Sequence, residues 1–206
     1  IALMCLDCSV IPLGAQTLDN TRGAGLGPIL ILGDSLSAEY GIARGSGWVE
    51  LLRARLRERK DSRVVVNSSI SGETSAGGRS RIEALIRRHQ PSLVIVELGG
   101  NDALRGLDLA TTRKNLSEVV RLSQAAGARV LLAGMKMPPN YGKAYADAFE
   151  RLFQDVSRDT GATLLPFFLQ GIAERLELFQ ADRIHPNEAA QPLILDNVWP
   201  VLVPML

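Results

Sequence analysis

Pro28-Ile29-Leu30-Ile31-Leu32-Gly33-Asp34-Ser35-Leu36-Ser37 is an apolar run of strand length that stops at a glycine, an acid and a serine. A strand buried on both faces of a parallel sheet reads as an uninterrupted apolar run of this kind. In open α/β sheets ligands bind beyond the carboxyl ends of the strands, so Ser35 is expected to project into that crevice.

Outward from this stretch the pattern repeats. Strands are predicted at Arg63-Val64-Val65-Val66-Asn67, Ser92 to Leu98, Arg129 to Gly134 and Thr163-Leu164-Leu165. Between them, apolar residues recur at helical spacing: Trp48, Leu51, Leu52 and Leu56; Ile82, Leu85 and Ile86; Leu116, Val119, Val120 and Leu122; Tyr145, Phe149, Leu152, Phe153 and Val156. Ile172, Leu176 and Phe179 form a shorter apolar stripe, and a last helix runs toward Trp199 and Pro200, with a kink expected at Pro192. This alternation predicts a three-layer α/β/α fold with a five-stranded parallel sheet, in the flavodoxin-like strand order 2-1-3-4-5.

Bulk properties bound the reading. The 206 residues suit one folded domain, expected over 28–206, and 46% apolar with 22% charged residues is an ordinary globular composition. A net charge of +1 predicts no nucleic-acid partner, and the basic run Arg53, Arg55, Arg57, Arg59 and Lys60 reads as a solvated helix face. Both cysteines, Cys5 and Cys8, fall near the start, which leaves no thiol in the body for catalysis, stapling or metal binding. Residues 1–27 read as a truncated leader or flexible extension. Ile1 to Ala15 resembles the apolar core and small-residue end of an export signal, and Asn20 to Gly27 has linker composition. No stretch approaches the roughly 20 apolar residues that span a bilayer.

A serine hydroxyl needs an adjacent base to act as a nucleophile. Of two histidines, His89 follows Arg87 and Arg88 at a predicted helix C-terminus, a poor place for a proton acceptor. His185 follows the last strand, and Asp182, three residues earlier, is close enough in a turn to accept from Nδ1 and leave Nε2 facing Ser35. Donors for a tetrahedral oxyanion come from the Ser35 N–H, the Gly72 N–H and the Asn101 side-chain amide. Asp34 either orders the serine turn or holds the oxyanion loops by hydrogen bonds. Glu73 and Asp102 read as loop-ordering or solvated.

Gly33-Asp34-Ser35-Leu36-Ser37, Ser71-Gly72-Glu73-Thr74, Gly99-Gly100-Asn101-Asp102 and Asp182-Arg183-Ile184-His185-Pro186, in this order, resemble the four blocks of the SGNH (GDSL-type) hydrolases. The longer stretches Glu97 to Asp102 and Pro138-Pro139-Asn140-Tyr141-Gly142 look most like its bacterial periplasmic thioesterase, lysophospholipase and arylesterase branch. The resemblance implies hydrolysis of fatty acyl esters, thioesters and lysophospholipids without metal or cofactor. A monomer or weak oligomer not inserted in a membrane is expected, periplasmic or secreted, or cytoplasmic if the N-terminal segment is not an export signal. The resemblance also implies a segment, Ala103 to Asp108, that moves on acyl binding. Asp34, Leu104 and Met137 are expected on the substrate side, Met137 along the acyl groove. Two rivals remain: a carbohydrate acetylesterase of the same fold and a non-catalytic flavodoxin-like binding module. The Walker and Gly-x-Gly-x-x-Gly spacings are absent after the first strand, as is the α/β-hydrolase elbow.

Overall fold

The computed structural model describes residues 27–137 and 139–206. The expectations for Ile1 to Ala15, for both cysteines and for the linker up to residue 26 lie outside the described residues, as does Pro138.

β1 (Ile29–Gly33) leads through a series of turns to α1 (Trp48–Glu58) and β2 (Val65–Asn67). There follow α2 (Ser75–His89), β3 (Leu93–Glu97), the short α3 (Gly100–Leu104), α4 (Leu109–Ala125), β4 (Arg129–Ala133), α5 (Lys143–Thr160), β5 (Thr163–Leu165) and α6 (Gln191–Leu202). The strands form one five-stranded parallel sheet in the order β2-β1-β3-β4-β5, as expected from the alternation.

β1 and the central strand β3 are neighbours, in register from Ile29 opposite Leu93 to Gly33 opposite Glu97. Every residue of both is buried, which is why each reads as an apolar run, broken in β3 by Glu97 at its end. Truncating Ile31, 0% exposed, to alanine would cost about 2–5 kcal/mol by the usual transfer and cavity terms. On the helices, α4 packs against both α2 and α5, while α1 packs against α6, so the sheet is covered on two faces. Thr74 Oγ1 caps α2 by accepting from the Gly77 N–H, and Asp108 caps α4 by accepting from the Thr111 N–H at 2.8 Å.

Two expectations are corrected. Pro192 does not kink the last helix: α6 begins at Gln191, so the proline occupies its first turn, where no intrahelical N–H bond is required. The stripe Ile172, Leu176 and Phe179 is not one buried face. Only a 3₁₀ turn forms there, at Leu176–Leu178; Ile172 is buried while Leu176 is 65% exposed, and Leu178 turns inward instead. At helical spacing these residues look alike, but the chain is folded into tight turns by the His185 loop that follows.

Candidate active site

After Gly33 the chain makes tight turns instead of a helix: the Ser37 and Ala38 N–H groups donate to the Asp34 carbonyl, and the Tyr40 N–H to that of Ser35. Asp34, 2% exposed, directs its carboxylate inward, where Oδ1 accepts from the Leu36 N–H at 3.0 Å and Oδ2 from the Asn101 amide at 2.9 Å. Asp34 therefore performs both roles open to it in the sequence. Both of its carboxylate oxygens are engaged from within the protein.

The histidine arrives from the opposite end of the chain. A bridge pairs Phe179 with Pro186, the Gln180 N–H donates to the His185 carbonyl at 2.8 Å, and Gln180 Nε2 donates to the Tyr40 carbonyl at 2.8 Å. Within this loop Asp182 Oδ1 accepts from the Ile184 and His185 N–H groups at 2.9 and 3.0 Å. Asp182 Oδ2 lies 2.6 Å from His185 Nδ1, and His185 Nε2 lies 3.0 Å from Ser35 Oγ. An ionised carboxylate can only accept, so Nδ1 carries the proton and the Nε2 lone pair faces the serine. Burial pulls the Asp182 carboxyl upward, but the two backbone N–H groups and the His185 ring outweigh it and hold it at about 2.

The remaining candidates lie on the loops after β2 and β3, the strands flanking β1. Among the described residues, the N–H groups of Ser35 and Gly72 donate to no protein acceptor. Gly72 has φ +78°, a left-handed conformation that an L side chain adopts only under strain. Asp102 is not solvated but buried, and ties the two loops together: its carboxylate accepts from the Ser75 N–H at 2.8 Å, from Ser75 Oγ at 2.5 Å and from Thr112 Oγ1 at 3.2 Å. Arg105, at the end of α3, closes the gap from outside by donating to the Gly72 carbonyl at 2.8 Å. Glu73 pairs with Arg81 across the same loop. Leu104 is half-buried on α3, one turn beyond Asn101, and Met137 is buried in the loop after β4.

Residues 31–192 match the GDSL-like lipase/acylhydrolase family. The chain belongs to this family. It is 47% identical to the protein named esterase TesA of Pseudomonas aeruginosa, over 90% of this chain and 92% of that one. It is 40% identical to thioesterase 1/protease 1/lysophospholipase L1 of Escherichia coli K12, over 90% and 88% of the two chains. A crystal structure of TesA superposes with a TM-score of 0.85 at 47% identity, covering 87% of this chain and 99% of that one.

Two residues of this GDSL-like site escaped the sequence reading. Tyr40 lies against the His185 ring, centroids 4.4 Å apart, though it carries no motif and is 50% exposed. Glu97 is the last residue of β3 and is fully buried behind the serine turn. The available signal was a carboxyl inside an otherwise apolar strand, a placement that burial penalises unless something nearby requires it.

Proposed function

We propose that this protein is a serine hydrolase that cleaves carboxylic esters and thioesters of fatty acyl groups through an acyl-enzyme. The observation that carries the reading is the contact series Asp182 Oδ2 to His185 Nδ1 at 2.6 Å and His185 Nε2 to Ser35 Oγ at 3.0 Å.

In the first half-reaction Ser35 Oγ attacks the acyl carbon while its proton passes to His185 Nε2. Asp182 holds the ring and stabilises the imidazolium formed. The oxyanion is received by the Ser35 and Gly72 N–H groups and by the Asn101 N–H not engaged with Asp34; each such donor is typically worth roughly 2.7–4 kcal/mol of barrier. His185 then returns the proton to the departing alkoxide or thiolate. A water activated by the same nitrogen releases the fatty acid and restores Ser35.

The family assignment, and relatives named as an esterase and as a thioesterase and lysophospholipase, support fatty acyl esters, thioesters and lysophospholipids as substrates. Leu104 and Met137 are the residues assigned to the acyl side. One chain supplies every member of the proposed triad, so a monomer or weak oligomer suffices as the working unit. Export to the periplasm or beyond is read from the apolar stretch Ile1 to Ala15; among the described residues no helix is long and apolar enough to cross a membrane.

The test is a panel of p-nitrophenyl esters of increasing acyl length with lysophospholipid, on wild type and Ser35→Ala, alongside labelling by an organophosphonate. Turnover that holds or rises from short to medium chains and vanishes in Ser35→Ala is the expected result. Activity confined to acetates would assign the site to a carbohydrate deacetylase, and no turnover with no labelling of Ser35 would make it a binding module.

A further inference from the structure

Ser35 sits in a four-residue turn whose flanks are held by one side chain from the neighbouring strand. Glu97 Oε2 accepts from the Asp34 N–H at 3.2 Å and from the Ser37 hydroxyl at 2.7 Å, one bond on each side of the serine. Ser37 Oγ in turn accepts from Trp48 Nε1 at 3.1 Å, and the Ser37 carbonyl accepts from the Asn67 amide at 2.7 Å. The fit is close: a Cβ on Gly33 would lie 2.7 Å from Glu97 Oε2 and 2.9 Å from Ser37 Cβ.

The other carboxyl oxygen, Oε1, is buried and has no donor directed at it among the described residues. Glu97 Oε2 accepts from the backbone N–H of Asp34, which makes the two carboxyls, 0% and 2% exposed, close neighbours out of water. No lysine or arginine among the described residues reaches either one; the charges they meet are each other and, for Asp34, His185. Two carboxylates cannot both stay ionised in contact away from water, so the pair must retain a proton. Both Asp34 oxygens are engaged as acceptors, by the Leu36 N–H and the Asn101 amide, whereas on Glu97 only Oε2 accepts and Oε1 is left to carry the proton, so Glu97 is the acid of the pair.

We propose that Glu97 is protonated and donates a hydrogen bond to Asp34, a positioning residue that fixes the Ser35 turn and, through Asp34, aims the Asn101 amide at the oxyanion. The proposal deepens the reading of Ser35 and Asn101 given above and rests on it. Burial first, then the charge of Asp34, push the Glu97 carboxyl well above the ordinary carboxylate range, in keeping with this assignment.

Glu97→Gln reproduces the proposed state, with an amide donor toward Asp34 and a carbonyl toward the Asp34 N–H and Ser37. Glu97→Ala removes both. With p-nitrophenyl butyrate, Glu97→Gln is expected to keep kcat within about threefold of wild type, and Glu97→Ala to lose about tenfold or more of kcat with KM little changed, part of what losing an oxyanion donor costs. The infrared difference spectrum of wild type minus Glu97→Gln at pH 7 should contain the C=O band of a protonated carboxylic acid. Absence of that band, or a folded Glu97→Gln enzyme with kcat at least tenfold below wild type, would overturn the proposal. The infrared readout decides it even where Glu97→Ala does not fold. Organophosphonate labelling of Ser35 in wild type separates the outcomes: no labelling sinks the hydrolase reading itself, whereas labelling with either adverse result sinks only the role of Glu97.

Discussion

Asp34 and Asp182 approach the same serine–histidine pair from regions of opposite character. Asp34 belongs to the sheet: it follows β1, is 2% exposed, and burial pushes its carboxyl up to about 6 against the opposing hydrogen bonds of Leu36, Asn101 and Glu97 and the charge of His185. Asp182 belongs to an outer loop, with 38% of its side chain exposed and its carboxyl held at about 2. One residue type thus serves two ends. In the mechanism proposed above, the loop aspartate supplies a secure negative charge for an imidazolium, and the sheet aspartate a rigid acceptor whose charge a neighbouring acid tempers.

The difference is open to test by substitution. Asp182→Asn should lower kcat by about 10⁴, because an amide facing Nδ1 no longer selects the tautomer the serine needs. Asp34→Asn leaves the serine–histidine contact in place and should cost no more than removing an oxyanion donor outright, about 10²–10³ in kcat. Steady-state kinetics on a short p-nitrophenyl ester ranks the two, and equal losses would erase the distinction.

Stability should also respond to pH with opposite sign. Asp34 and Glu97 bind protons more tightly when folded than in the unfolded chain, where carboxyls titrate near about 4. Their contribution is therefore complete below about pH 4 and is lost as pH rises through about 6 and beyond. Asp182 contributes above about pH 4 and loses its effect as pH falls toward about 2. Thermal melts from pH 4 to 9 should show Glu97→Gln gaining on wild type as pH increases; parallel curves would mean that the acid pair is not linked to folding. The smallest expected effect belongs to Arg105→Ala, which removes an exposed bond to the Gly72 carbonyl and should reduce kcat by less than about tenfold. A loss as large as that of Asp34→Asn would transfer part of the rigid character to the outer surface.

The sheet was legible because Ile29 to Leu32 and Leu93 to Val96 are buried on both faces and have no polar residue to interrupt them. Ser35, Asp182 and His185 could be grouped from sequence because the side chains a serine nucleophile calls for are chemically distinct and few, and the structure brings the three within hydrogen-bond reach. Less was readable where tertiary contacts override local pattern. Leu176 matched a helical stripe yet faces solvent, and Pro192 looked like an interruption because the helix start was placed too early. Tyr40 and Glu97 were missed because their importance lies in what they touch, His185 and Asp34, and linear spacing does not encode those contacts.

Ser35 and His185 are 150 positions apart in the chain yet within hydrogen-bond reach. During synthesis from the amino end, the nucleophile is in place long before its base exists. A polypeptide that ended short of residue 185 would hold the proposed nucleophile without its proposed base, so esterase activity is expected only once synthesis has passed that residue.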